Sequence, residues 1–289
     1  MKREDPITMA NKILPTLNQI AAEVIDFLAD KRVADLPWEN PTEDATERAD
    51  YMVRTYLLIQ YKHLRSTLVL VETGHDRDSS IIARKMAEGL TQLYWALKDE
   101  PKRTDQWFWY ETILERLQLF ENQENGREVL DEEREISDKL IAEHWSDYYN
   151  KETRTAHSTG EPPAEDERRR YRDRWHKPTI AQLFQGVEEN ERNLKYWRSA
   201  SGWTHWSPIT VFRAMDQGGG PIRYAMSDTR EAVRALIVAI NCALNTLLIA
   251  AYRFKLPYAE RIDGYCARLS EVRMSDSSCH NPLQQGEPP

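Results

Sequence analysis

The run from Ala235 to Ala251 carries no charge, and Arg234 and Arg253 close it at its two ends. Such a run has two homes: a bilayer, or the centre of a bundle in which other helices cover it on every side. It is just short of the roughly 20 residues needed to cross a membrane. Asn241 and Asn245 interrupt it one helical turn apart. An amide in hydrocarbon is costly unless it pairs with a neighbouring helix. The run therefore predicts a helix buried on all sides in a soluble bundle, with no membrane span.

The rest of the chain has the matching period. Ile13, Leu14, Leu17, Ile20, Ala21, Val24, Ile25 and Leu28 recur at spacings of three and four behind Asp5-Pro6, a cap followed by proline at the first helical position. A second helix starts at Thr42-Glu43-Asp44 and runs to about Glu72 with Tyr51, Leu57, Leu58, Tyr61, Leu64, Leu68 and Val71 as its stripe. A third, capped by Asp78 or Ser79, reaches about Leu97, and Thr104-Asp105 opens a fourth after Pro101. Arg127 to Lys151 reads as a long exposed helix laced with ion pairs. Helical patterning returns from Thr179 to Trp197, before the long apolar helix capped by Ser227 or Asp228, and again after Pro257. With Gly 11 and Pro 14 there are too few turn residues for a β-sandwich. The predicted fold is all-α, a multi-helix bundle with long antiparallel helices. Residues 1–274 read as one domain, with a mobile loop near 152–173 and a disordered tail over 275–289.

Several chemistries have no foothold. Neither GxGxxG nor GxxxxGK[ST] occurs, and no G-x-S-x-G elbow is present. Cys242, Cys266 and Cys279 are far apart, and no H-E-x-x-H places histidines at ligand spacing, so neither a metal nor another cofactor is expected. No apolar leader follows Met1, and the cytoplasm is the expected compartment. The net charge is −8, so any nucleic-acid contact has to be local.

One segment concentrates reactive groups: Tyr196-Trp197-Arg198-Ser199-Ala200-Ser201-Gly202-Trp203-Thr204-His205-Trp206-Ser207-Pro208. In an undisturbed helix Arg198 and His205 would lie on one face, about 10.5 Å apart along the axis. A guanidinium can grip phosphate oxygens with two hydrogen bonds, and an imidazole can move a proton near neutral pH. That pair suffices for RNA cleavage without a metal. The histidine would act on the 2′-OH or the leaving 5′-oxygen, and the arginine would stabilise the charge that builds on phosphorus.

This R-x6-H spacing in an all-α chain resembles the HEPN superfamily of bacterial and archaeal ribonucleases, toxins and defence proteins. Ser199 follows the arginine where those ribonucleases often carry Asn, Asp or His. The wider pattern, with Tyr196, Ser201 and His205, also resembles a bacterial family of unknown function that pairs such a stretch with an upstream R-x-x-x-E. Here Arg84 and Glu88 supply that upstream element. The resemblance implies a metal-independent endoribonuclease, possessing Arg198 and His205 as catalytic groups and Arg84, Glu88, Tyr196 and Ser201 as support. It also implies a homodimer with a composite site, acting as a toxin or antiviral effector beside an antitoxin or defence-system partner.

Each residue has a plainer reading beside this one. Arg84 and Glu88 could form only a surface pair of about 0.3–0.5 kcal/mol. His205 could be a structural histidine bonded to nearby backbone, and Arg198 could snorkel along Trp197. The basic stretch with Arg168, Arg169, Arg170, Arg172 and Arg174, interleaved with Tyr171 and Trp175, reads either as an RNA-binding arm or as a loop neutralising the acidic run before it. The alternative function is a non-catalytic helical module that binds a protein partner or small ligand, with Arg84, Glu88, Arg198 and His205 as a buried network that fixes packing.

Overall fold

The computed structural model describes residues 6–29, 44–124, 131, 135, 148–160, 171–172, 174–185, 196–198, 215–216, 223–224 and 229–275. The fold is all-α. Among the described residues the named helices are α1 (Pro6–Leu28), α2 (Ala45–Glu72), α3 (Asp76–Leu97), α4 (Lys102–Glu124), α5 (Lys151–Thr159), α6 (Ile180–Gln185), α7 (Thr229–Arg253) and α8 (Ala259–Ser275). Among the described residues the only strands are two-residue stubs, β1 (Met215–Asp216) and β2 (Arg223–Tyr224), paired antiparallel.

The described residues group into two compact units. One holds α1, α2 from Val53, α3 as far as Tyr94, α6, α7 and α8. The other holds α2 as far as Met52, α3 from Trp95, α4 and α5. The sequence predicts 1–274 as one domain.

In the first unit α7 is the core helix. Leu236, Ala239, Ile240, Ala243, Leu244 and Leu247 are fully buried. Each buried leucine or isoleucine side chain of this kind contributes about 1.5–3 kcal/mol. Among the described residues α7 alone is long and apolar enough to cross a membrane, and 72% of its most apolar window lies inside the structure. The Asn245 amide finds the neighbouring helix that such burial demands: Tyr94 donates to its Oδ1 at 3.1 Å, and its Nδ2 donates to the Asn241 carbonyl at 2.8 Å. Burial in the same helix pushes the Cys242 thiol up to about 12.

Contacts fix the helix directions. Tyr56 donates to Gln92 and Gln60 to the Met86 carbonyl, so α2 and α3 run antiparallel. Phe27 meets Tyr258 and Tyr265 while Glu23 meets Arg268, so α1 and α8 are antiparallel too. Ser80 bonds Glu231 and Tyr94 bonds Asn245 with the same offset of 151 residues, which makes α3 and α7 parallel neighbours. The α3–α7 pair thus departs from the antiparallel arrangement expected from the sequence.

Turn chemistry explains where the helices stop and start. Asp44 accepts from the Thr46 N–H at 2.7 Å and caps α2. At its other end Gly74 takes φ 77°, with Gly74 N–H on the Val71 carbonyl and His75 N–H on the Leu70 carbonyl. That six-residue closure needs the left-handed conformation that glycine adopts without strain. The helix after it opens at Asp76 rather than at an Asp78 or Ser79 cap. Likewise α4 opens at Lys102, ahead of Thr104. Residues 152–159 of the expected loop are helical, within α5, because Asn150 caps Thr153 at 2.8 Å and Gly160 closes the end at φ 75°. Residues 161–170, the Ser227 and Asp228 caps, the tail beyond Ser275 and, apart from Asp131 and Glu135, residues 127–147 lie outside the described residues.

The expected stripe of α2 needs one correction. Leu57, Leu64, Leu68 and Val71 are buried, but Leu58 lies on the opposite, solvent-facing side. Leu57 and Leu58 are consecutive, so they stand 100° apart around the axis, and only one can face the core.

Candidate functional site

The middle of α3 buries Ala83, Met86, Ala87, Leu90 and Leu93. That same helix also buries a charged pair one turn apart: Arg84 is 7% exposed and Glu88 8%. Arg84 Nε lies 3.1 Å from Glu88 Oε1 as an ion pair, off-line for a hydrogen bond. Trp197 Nε1–H donates to the same oxygen at 2.7 Å, and Lys85 Nζ reaches Oε2 at 2.8 Å. Both carboxylate oxygens are thus occupied. The Arg84 guanidinium also lies 5.0 Å from the Trp197 ring centroid, and the Phe184 ring of α6 packs against that indole with centroids 5.9 Å apart.

Tyr196 is anchored just as firmly. Its hydroxyl donates to the Ser80 carbonyl at 3.2 Å, and burial pushes its phenol well above the usual range. Ser80 in turn donates to Glu231 Oε2 at 3.3 Å, which Arg234 pairs at 2.8 Å through the other oxygen. Residues 196–198 are helical, so successive side chains diverge by about 100°. Tyr196 and Trp197 take hold of α3 at Ser80 and Glu88, two turns apart along that helix. Arg198 follows them and is exposed.

Of the predicted site the structure brings together Arg84 and Glu88, adds Trp197 and Lys85 to them, and anchors Tyr196 two turns away at Ser80. One expectation is corrected: Arg84 and Glu88 are not a surface pair, because both are buried. The partners of Glu88 are Arg84, Lys85 and Trp197, and among the described residues Arg198 makes no ion pair. His205 and Ser201 lie outside the described residues, as do Arg168, Arg169 and Arg170.

Arg172 is packed against its neighbours rather than standing out from the surface. Its guanidinium lies over the Tyr148 ring at 5.5 Å, with Nε and Nη1 shut off from solvent. Its backbone is tied at both ends, N–H to the Tyr148 carbonyl at 2.9 Å and carbonyl to the Tyr110 hydroxyl at 2.7 Å. Arg174 is half-exposed. The aromatic neighbours are packed too: Trp175 is buried against Trp95 and His176. Among the described residues no group of three His, Cys, Asp or Glu side chains converges.

An all-α chain with a braced helical stretch that presents an arginine to solvent is the class that fold and site define. Residues 50–220 match the model of a family described as "Family of unknown function (DUF5677)", and the chain belongs to that family. The match contains α3, Tyr196, Arg198 and His205. No curated protein and no solved structure matches the chain.

Proposed function

We propose that this protein is a metal-independent endoribonuclease of HEPN type, in which Arg198 and His205 act on one phosphodiester. The observation that carries the reading is the setting of Arg198. Tyr196 and Trp197 are fixed to α3 by hydrogen bonds, and the next side chain is an exposed guanidinium. A cation held on a rigid base can meet a phosphate with little ordering cost. The R-x6-H spacing supplies a proton-transfer group seven residues on.

In the proposed reaction the RNA 2′-oxygen attacks the adjacent phosphorus and loses its proton. The P–O5′ bond breaks, the 5′-oxygen leaves protonated, and a 2′,3′-cyclic phosphate remains. His205 handles one of those protons, and Arg198 holds the non-bridging oxygens as charge builds on them. The proposal extends to a homodimer in the cytoplasm with a toxin or antiviral role.

The test is cleavage of an end-labelled RNA in excess EDTA by wild type and His205→Ala. A loss of about 10²-fold or more in the variant is expected of a general acid or base. Equal cleavage by both proteins removes His205 from the chemistry.

A further inference from the structure

The outer face of α2 is unlike the rest of the surface. Six large hydrophobic residues among those described are exposed, and three of them, Leu58, Ile59 and Val69, stand on this one helix at 38%, 44% and 56%. Scattered singly such residues mean little, but a shared face is different. Leu58, Lys62, Arg65 and Val69 follow one another at intervals of four, three and four, all exposed. At 100° per residue they fall within roughly 60° of arc, the seam geometry of a helix that pairs with another helix.

Charge selects the occupant. The chain has 47 acidic against 39 basic residues, yet from Tyr51 to Val71 it has no acidic residue at all. Arg54, Lys62 and Arg65 are the charged groups of that stretch. Arg65 rests on the Tyr61 ring at 5.7 Å, which holds its guanidinium near the seam. Among the described residues neither Lys62 nor Arg65 has a carboxylate partner. A second copy of the same face is a poor match. In an antiparallel pairing Leu58 would meet Val69 while Lys62 met Arg65, and in a parallel pairing Lys62 would meet Lys62. Either way like charges face each other in the middle of the seam. RNA has no use for the leucine and the valine at the two ends of the seam.

We propose that the face of α2 centred on Leu58, Lys62, Arg65 and Val69 docks an acidic amphipathic helix of a partner protein, with its apolar stripe on Leu58 and Val69 and its carboxylates on Lys62 and Arg65. This is helix-to-helix recognition, in which the apolar seam supplies contact area and the cations choose the partner's charge and direction. The proposal stands independently of the ribonuclease reading, and its test contains no cleavage step.

The experiment uses the full chain and a fluorescent amphipathic peptide of roughly three heptads, leucine along its seam and glutamate beside it. A lysine-flanked counterpart, a single-stranded RNA and an anionic phospholipid vesicle are run in parallel. The expected result is anisotropy binding of the acidic peptide at least about tenfold tighter than of the basic one. Lys62→Glu with Arg65→Glu reverses that preference. Leu58→Ser with Val69→Ser weakens both peptides while the thermal melt stays in place, since all four residues are exposed. The proposal is overturned if the two peptides bind equally, or if neither binds. It is equally overturned if Lys62→Glu with Arg65→Glu abolishes RNA or vesicle binding instead, or if the wild type self-associates through this face.

Discussion

Glu88 and Glu23 each face an arginine, and they differ in what surrounds the pair. Glu88 and Arg84 have side chains only 11% and 9% exposed, on one helix, with Trp197 closing over them. Glu23 of α1 and Arg268 of α8 join two helices at 35% and 38% exposure, where water reaches both. Glu23 is held below the usual carboxylate range chiefly by the Arg268 hydrogen bonds. The buried pair contains less freedom and more liability. Removing one partner inside the protein leaves a charge and an indole N–H without their acceptor, whereas removing one outside lets water take its place.

The largest effect is expected for Glu88→Ala. It strands Arg84 and the Trp197 N–H, and a loss of about 3–5 kcal/mol is the usual scale for breaking a buried pair. Urea denaturation measures it, and a loss under about 1 kcal/mol would erase the distinction from Glu23. Next comes Trp197→Phe, which keeps a ring against Arg84 and Phe184 but removes the donor to a carboxylate. A loss of about 1.5–3 kcal/mol is expected, smaller if Lys85 swings in to compensate. Glu23→Gln is expected to cost at most about 1 kcal/mol, and less in high salt. Its pH dependence has a definite sign. The folded carboxyl lies below its ordinary 4.5, so the contribution is present above that pH and is lost as the pH falls through the folded value. Stability curves of wild type and Glu23→Gln should therefore converge in acid. Curves that stay parallel from neutral pH down would show that the pair is neutral in energy.

The fold was legible in the sequence because burial leaves a periodic trace. The uncharged run of α7, its two amides and the stripe of α1 all imply the bundle that is found, and Leu17, Ile20, Ala21 and Val24 are fully buried. Helix ends were less legible. Asp78 and Ser79 look like caps, but the closure at Gly74 and His75 lets α3 begin at Asp76. The helix of 151–159 was hidden by polar composition, although Asn150 and Gly160 carry the punctuation for it. At the site, the spacing of Arg84 and Glu88 showed that they would meet, but not that they would be buried. The indole that contacts both of them belongs to Trp197, more than a hundred residues away in the chain, and no local pattern encodes that contact. Leu58 fails for a related reason: an apolar residue in a helical stripe reads as core until the partner helices fix which face is outward.

On the proposed ribonuclease reading, the network under Arg198 is structural and Arg198 itself meets the phosphate. Parallel melts and EDTA cleavage assays on Arg198→Ala test it most directly. The expected result is a melt within about 0.5 kcal/mol of wild type, as for an exposed residue, with cleavage reduced by about 10²-fold or more. A protein that melts normally and still cuts RNA at the wild-type rate would overturn the role of Arg198.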